Sequence, residues 1–152
     1  MTIKSRLEAM HLILPEPPQP LGSYMPALDA GGLLFLSGML PVKDGRPAWI
    51  GRVGAELSVA EGREAAKLAT LNGLAVARAA VGSLDRITRV VRLTVHIASP
   101  PDFGDHAAVA DGASLLLASL FDPTGGHVRL AIGASSLPAQ MPIELEMVFQ
   151  LR

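Results

Sequence analysis

Cysteine is absent from the chain, and aromatic residues are scarce: there is one Trp, one Tyr and four Phe. Without cysteine the protein can form no disulfide, no thiolate nucleophile and no cysteine-bound metal site, a composition that fits a reducing compartment. We therefore expect a cytoplasmic protein. Few aromatic rings also leave few platforms on which the bases of a nucleic acid could stack.

The chain also lacks an excess of either positive or negative charge. Thirteen Lys and Arg residues stand against fourteen Asp and Glu, which gives a formal net charge of −1. Nucleic-acid binding requires a basic surface, so DNA or RNA is not expected as the main partner. The first 15 residues mix charged with apolar side chains, and no apolar run has the length of a secretory signal or a membrane span.

Familiar catalytic motifs are also missing. The sequence has no phosphate loop, no nucleophile elbow and no dinucleotide-binding fingerprint. His96 and His106 have no partner at the spacing of metal ligands, which favours structural or surface roles for both. We expect neither a metal nor a cofactor.

What the chain does contain is enough apolar material for one folded domain. Hydrophobic residues make up 49% of the 152 residues and charged residues 18%. A chain of this length buries roughly two thirds of its unfolded surface. The mean hydropathy of +0.37 is high for a monomer and predicts apolar surface between subunits. Residues 1–20 form a predicted N-terminal helix with a proline-rich lead-in, and residues 21–152 form the main α+β domain.

Helix signals occur in three places. Apolar residues from Ile3 to Ile13 are spaced as on one stripe of a helix over residues 2–13. Ser58-Val-Ala-Glu61 is a capping box that predicts a helix from there to about Ala80, ended by Gly82. Within it, Asn72 interrupts the apolar face, so its amide should bond internally.

A later helix is predicted after Pro100 and Pro101, with Asp102 as its N-cap. Its core stripe is predicted as Phe103, Ala107, Ala110, Ser114, Leu117 and Phe121. Earlier in the chain, residues 24–28 and 33–37 flank an Asp-Ala-Gly-Gly turn and predict a β-hairpin. Residues 41–54 show no periodicity and are expected to be irregular.

Three segments alternate with period two: Ile87–Ala98, His127–Ser135 and Ile143–Leu151. If the apolar side of each faces the helices, then Val128, Leu130 and Ile132 face the core. Arg129 then points away from the helices. The polar layer on the other side is predicted to contain Arg92, His96, His127, Arg129, Glu144 and Glu146.

Arg129 is the most informative member of that layer. Its planar guanidinium matches a carboxylate, which can be that of Glu144 or of a ligand. Gly125 and Gly126 precede the strand and leave backbone amides open to an anion, as at the mouth of a pocket. The simpler alternative is a solvated sheet face whose charges pair across strands and contribute less than about 1 kcal/mol each.

Several motifs, taken together, resemble the reactive intermediate deaminase (Rid) family, also called YjgF-like or endoribonuclease L-PSP, and more closely its chorismate-mutase-like branch. They span roughly residues 21–151 and comprise Gly22-Ser23-Tyr24, Leu33 to Gly38, Ala65 to Leu74, Gly82 to Ile87, Gly126 to Arg129, Ile132-Gly133, Leu137-Pro138 and Ile143 to Glu146. The resemblance implies a chorismate-mutase-like fold, with a mixed β-sheet that has two α-helices packed on one face. It also implies a homotrimer with clefts between subunits.

The resemblance further implies a function. Family members of the deaminase type hydrolyse 2-imino and enamine acids, and the strand arginine binds the substrate carboxylate. Arg129 matches that position, and Glu144 matches the residue that would position or activate water. Tyr24 would close the pocket, while Gly38, His127 and Ala131 would line it. The expected partner is a small carboxylate-bearing metabolite: an imino, enamine or 2-oxo acid.

The sequence also departs from the deaminase pattern. Ala131 replaces a frequent cysteine, Ala107 falls near an expected asparagine, and the segment before Arg129 is longer. These departures keep a second interpretation open, a non-catalytic trimer that binds a small metabolite or acts as a regulatory partner or holdase. Endoribonuclease activity follows only from a family label, and chorismate mutase activity only from fold.

Overall fold

The computed structural model describes residues 1–121 and 126–152 as an α+β fold. Its helices are α1 (Ile3–Ala9), α2 (Val59–Val81) and α3 (His106–Phe121). Its strands are β1 (Ala27–Ala30), β2 (Leu33–Leu36), β3 (Val42–Lys43), β4 (Arg46–Pro47), β5 (Ile87–Ala98), β6 (Val128–Ala134) and β7 (Ile143–Leu151). Among the residues described, no helix combines the length and apolarity that a membrane crossing would require.

Five strands form one mixed sheet in the order β1-β2-β7-β5-β6. Strands β5 and β6 are parallel, whereas the other neighbours are antiparallel. A parallel pair needs a crossover connection, and α3 lies in that connection. The crossover leaves β6 at one edge of the sheet and β1 at the other. Strands β3 and β4 form a separate small hairpin in the segment predicted to be irregular.

The predicted hairpin near the start is confirmed as β1 and β2, but β1 lies later than predicted, because Asp29 and Ala30 pair with β2 and do not belong to the turn. Gly31 and Gly32 form its turn, with φ angles of 62° and 83°. Residues with a Cβ rarely adopt such angles, so the two glycines allow the chain to reverse here.

Helix α2 begins and ends as predicted. The Ser58 side chain accepts a hydrogen bond from the Glu61 amide, and the Glu61 carboxylate accepts one from the Ser58 amide. Gly82 follows the helix with a φ of 85°. Asn72 is buried, and its Nδ2 donates to the carbonyl oxygens of Leu40 at 2.8 Å and Val42 at 3.0 Å. The expected internal bonding of Asn72 is confirmed, and it fastens β3 to α2.

Helix α3 begins later than predicted, at His106, and Asp102 is not its N-cap. The backbone amide of Phe103 instead donates to the carbonyl of Pro100, which closes a turn before the helix. The stripe that α3 buries is also shifted from the prediction, and consists of Val109, Ala110, Ala113, Leu116, Leu117 and Leu120. The shift arises because α3 packs against α2 as well as the sheet.

All three helices lie on one side of the molecule, one more than the resemblance implies. The short helix α1 ends at Ala9 rather than at Ile13. Arg6 Nη1 donates to the carbonyl of Leu120 at 2.6 Å, and the amide of Ile3 donates to Asp85 at 2.8 Å. The first contact holds α1 against the end of α3, and the second ties it to the turn that precedes β5. The core lies between the helices and the sheet, where Leu93, Met147 and Phe149 are fully buried.

Candidate functional site

The side of the five-stranded sheet that faces away from the helices is called the open face below. Cross-strand pairing places its residues in three rows: Leu28, Phe35, Val148, Arg92 and Val128; then Glu146, Thr94 and Leu130; then Glu144, His96 and Ile132. Polar side chains thus run along the middle strands. Large apolar side chains flank them on both edges and stay 42–60% exposed.

Strand β6 is oriented opposite to the prediction. Arg129 lies opposite Leu93, whose side chain is fully buried on the helix side, whereas Val128, Leu130 and Ile132 lie on the open face. Arg129 and His127 therefore do not share a face with Glu144. The expectation of one polar layer holds only for β5 and β7.

The reason for this reversal lies in how closely α3 covers the edge strand. A Cβ added at Gly133 would lie 3.0 Å from His106 Nε2 and 3.0 Å from Ser99 Oγ. The helix side of β6 accordingly carries small residues such as Ala131 and Gly133. Alternation shows which residues share a face, but it does not show which face a helix covers.

Arg129 binds acceptors on α3. Its Nη1 donates to Asp111 Oδ1 at 2.7 Å and to Ser114 Oγ at 3.1 Å. The side chains remain accessible, Arg129 at 25% and Asp111 at 44% exposure. Of the two carboxylates considered for Arg129, Glu144 does not pair with it within one chain, and Asp111 does instead.

His127 joins the same group. Its Nε2 lies 2.9 Å from Ser114 Oγ. Burial lowers the pKa of His127, and the nearby Arg129 guanidinium lowers it further, so the neutral imidazole is favoured. Asp111, Ser114, His127 and Arg129 are called the arginine cluster below. Ala131 follows on the same face and packs partly buried against the core.

The predicted pocket mouth at Gly125-Gly126 is described only in part. Gly125 lies outside the residues that the structure describes. Gly126 is exposed and has a φ of 43°. It stands one residue before His127, and so beside the arginine cluster.

Glu144 lies on the open face, directly opposite His96. Burial raises the pKa of Glu144, nearby Glu146 adds to the rise, and His96 partly offsets it. A Cβ added at Gly38 would collide with the Glu144 carboxylate, so the glycine makes room for this side chain. A carboxyl group with a raised pKa is suited to proton transfer near neutral pH.

Tyr24 lies in the exposed segment that leads into β1. Its hydroxyl accepts a hydrogen bond from the amide of Leu21 at 3.1 Å, and its side chain is 48% exposed. Ser37 ties this segment to the end of β2, since its Oγ donates to the carbonyl of Met25 at 2.6 Å. Tyr24 is thereby held near Gly38. Glu144, His96, Gly38 and Tyr24 are called the carboxylate cluster below.

The predicted site residues thus form two clusters on opposite faces of one sheet. Asp111 and Ser114 were missed as site residues. The sequence carried a signal for them, because Asp111 is the sole Asp, Glu, Lys or Arg within α3. Ser114 follows three residues later and therefore lies on the same side of the helix.

The fold and these clusters define an α+β protein with two long helices on one face of a mixed sheet and an ionisable strip on the other. The chain belongs to the YjgF/chorismate-mutase-like family. The model of that family, described as YjgF/chorismate_mutase-like, putative endoribonuclease, matches residues 4–150. This confirms the resemblance drawn from the sequence motifs.

Three similar proteins illustrate the relationship. Protein TCP17 of Trypanosoma cruzi is 35% identical over 150 residues, which cover 98% of this chain and 94% of that protein. The crystal structure of Atu1372 from Agrobacterium tumefaciens, of unknown function, superposes with a TM-score of 0.91 at 36% identity, covering 99% of this chain and 92% of that one. E. coli TdcF with bound serine gives a TM-score of 0.64 at 22% identity, covering 90% and 94%, and supports the fold alone.

Proposed function

We propose that the protein hydrolyses 2-imino or enamine acids at a cleft between subunits. In this cleft Arg129 of one subunit binds the substrate carboxylate, and Glu144 of the next subunit handles protons. The observation that carries the proposal is the separation of the two clusters. Within one chain they lie on opposite faces of the sheet, so a site that uses both has to be shared.

The position of each cluster supports a shared site. The arginine cluster is carried by β6, an edge strand, and by α3 beside it. The carboxylate cluster lies on the open face, which is flanked by half-exposed apolar side chains. Apolar patches of this kind are typical of surfaces that another protein covers. A cyclic arrangement that seats the edge of one subunit on the open face of the next brings both clusters together.

The proposed reaction needs only water and proton transfer. The substrate carboxylate binds the Arg129 guanidinium, which fixes the reacting carbon. Glu144 accepts a proton from water as the new C–O bond forms and the π electrons of the C=N bond move to nitrogen. Glu144 then gives this proton to the nitrogen, the C–N bond breaks with its electron pair on ammonia, and the C=O bond forms as the hydroxyl loses its proton to Glu144 or solvent. An enamine acid enters the same sequence after a proton from solvent reaches its β-carbon and converts it to the 2-imino acid.

The homotrimer is part of the same proposal. The family resemblance supplies the number three. A partner subunit is supported by Val128, Leu130 and Ile132, which are 44–58% exposed on one strand. Covering each of these side chains would contribute roughly 1 kcal/mol or more.

Ammonia release tests this function. An imino acid would be generated in situ by an amino-acid oxidase, and ammonia would be followed with and without the protein. We expect the wild-type protein to accelerate release and Arg129→Ala to abolish the acceleration while keeping its thermal transition. No acceleration by the wild-type protein would contradict the proposal.

A second function is favoured by the ion pair itself. Asp111 Oδ1 lies 2.7 Å from Arg129 Nη1, so a ligand carboxylate that binds this guanidinium shares it with Asp111. A guanidinium that is already held in an ion pair favours a second function, in which the protein binds a small metabolite without converting it. Saturable binding of a 2-oxo acid in isothermal titration, together with no ammonia release, would identify this alternative.

Cleavage of RNA, to which the family description refers, has less support from this surface. The open face alternates Arg92 and His96 with Glu144 and Glu146, so it presents no basic track. The net charge of −1 points the same way.

A further inference from the structure

Asp111 occupies an unusual place for a charged residue. It lies on a helix that otherwise carries apolar, small and hydroxyl side chains after His106, and it contacts the guanidinium from the helix side. The pair is neither buried nor fully solvated, with 25% of Arg129 and 44% of Asp111 exposed. A ligand that reaches Arg129 therefore also meets Asp111.

Building on the function proposed above, we propose that Asp111 makes the Arg129 site selective for zwitterionic ligands. These are 2-amino acids and protonated 2-imino acids, and they are preferred over 2-oxo acids of the same carbon skeleton. Asp111 would thus be a specificity-determining residue of the site.

The charges of Arg129 and Asp111 distinguish two classes of ligand. Arg129 contributes one positive charge and Asp111 one negative charge, while Ser114 is uncharged. Within one chain the arginine cluster is therefore close to neutral before a ligand arrives. A ligand with only a carboxylate gains the guanidinium but comes near a second carboxylate, and like charges at such distances repel.

A zwitterion avoids this repulsion. In a 2-amino or protonated 2-imino acid, the cationic nitrogen is attached to the carbon next to the carboxylate. The carboxylate can bind Arg129 while the nitrogen donates to Asp111, so both charges of the site are matched. A 2-oxo acid has a carbonyl oxygen at that place, and this oxygen cannot donate a hydrogen bond to the Asp111 carboxylate.

The contacts with Asp111 and Ser114 use one nitrogen of the guanidinium. An arginine side chain offers five N–H donors. Both of its contacts within residues 1–121 and 126–152, to Asp111 and Ser114, fall on Nη1. Asp111 thus orients the guanidinium without using most of its donors. The ligand adds to the ion pair and does not have to displace Asp111.

This selectivity would suit the proposed reaction. A protonated 2-imino acid has no net charge, and its hydrolysis by one water gives an anionic 2-oxo acid and an ammonium ion. The substrate matches the charges of the site, whereas the anionic product does not. Asp111 would therefore favour substrate binding and product release together.

The test compares two unreactive probes of equal carbon skeleton, L-alanine and pyruvate, by isothermal titration near neutral pH. We expect the wild-type protein to bind L-alanine about tenfold or more tightly than pyruvate. Asp111→Asn keeps an oxygen that can accept from Arg129 but removes the negative charge. We expect it to weaken L-alanine binding and strengthen pyruvate binding, so that the preference is lost or reversed.

Two further variants separate the possible roles. Ser114→Ala removes the other partner of Nη1 without a change of charge, so the two affinities should shift together and their ratio should stay. Arg129→Ala should abolish binding of both probes. If Asp111→Asn changes both affinities in the same direction, or if the wild-type protein binds neither probe, the selectivity proposal is overturned.

The outcome is independent of catalysis, because neither probe reacts. A reversed preference in Asp111→Asn with no ammonia release from imino acids would support the selectivity and overturn the proposed hydrolysis. Ammonia release that depends on Arg129, with an unchanged ratio in Asp111→Asn, would do the opposite.

Discussion

At the residue scale, Glu144 is a carboxyl group set apart by its surroundings. Its side chain is partly buried, Gly38 leaves space beside it, and Glu146 follows two residues later on the same face. Burial and Glu146 raise its pKa, while His96 opposes the rise. A base with a raised pKa binds a proton more strongly, so it is better suited to take one from water.

This environment predicts a particular pH dependence for the hydrolysis. Glu144 must be ionised to act as a base, so kcat/KM should rise with pH through its pKa, which burial raises above that of an ordinary glutamate. Glu144→Gln should lower kcat by about 10²- to 10⁴-fold and remove this acidic limb. The measurement is ammonia release from pH 4 to pH 8.

A neighbouring variant serves as the control. Glu146→Gln removes a negative charge that raises the pKa of Glu144. The acidic limb should then move to lower pH while the maximal rate persists. If Glu144→Gln keeps both the wild-type rate and the wild-type limb, Glu144 has no part in proton transfer.

At the element scale, the side-chain amide of Asn72 ties the β3–β4 hairpin to α2. Asn72 on α2 is 1% exposed and donates to the carbonyls of Leu40 and Val42. Asn72→Ala removes both bonds and should lower the free energy of unfolding by about 1–3 kcal/mol in urea denaturation.

Thr70→Val is the matched control for Asn72→Ala. Thr70 is equally buried, but its hydroxyl donates to the carbonyl of Ala66 within the same helix and so ties no other element to α2 among the residues described. Its replacement should cost less than that of Asn72. Equal losses in the two variants would show that the tie to the hairpin contributes little.

The same scale shows how far the sequence could predict this molecule. Helix α2 and strands β5 and β7 were predicted almost to the residue, because capping boxes and period-two alternation are local signals. The prediction of which face of β6 contacts the helices was wrong. Its apolar residues were assigned to the helices, whereas Val128, Leu130 and Ile132 lie on the open face.

The error has a physical cause that also affects the site. Apolar alternation reports which side chains avoid water, whether a helix or another subunit covers them. At an edge strand either a helix or another subunit can cover the apolar side chains. The sequence alone therefore does not decide which face of the strand contacts the helices. The Asp111–Arg129 pair was missed for the same reason, since it joins a helix to a strand across 18 positions of sequence.

At the scale of the whole molecule, the proposed assembly buries the open face against a second subunit. Leu130→Glu places a charge at the centre of the β6 apolar stripe, where the wild-type side chain is 49% exposed. Burying that charge between subunits would be costly. We expect light scattering after size exclusion to show a mass that falls toward the 15.9 kDa of one chain.

Ile13→Glu is a control on the other side of the molecule. Ile13 is 89% exposed beside α2, away from the open face and from the arginine cluster. This variant should keep the wild-type mass. If Leu130→Glu also keeps it, the open face is not the subunit interface.

Mixing two inactive variants tests whether the site is shared between subunits. Arg129→Ala and Glu144→Gln each lack one half of the proposed site. In a cyclic assembly, a shared site is intact wherever a subunit with Arg129 meets a neighbour with Glu144. Unfolding and refolding the two variants together in equal amounts should therefore restore about a quarter of the wild-type activity.

Separately refolded and then combined variants provide the control, because their subunits have not exchanged. A site contained in one chain predicts a different result, since every chain in the mixture lacks either the guanidinium or the carboxylate. Such a mixture would stay inactive however its subunits assemble. Recovery thus requires that the arginine cluster of one chain face the carboxylate cluster of another, the arrangement that the two opposite faces of the sheet call for.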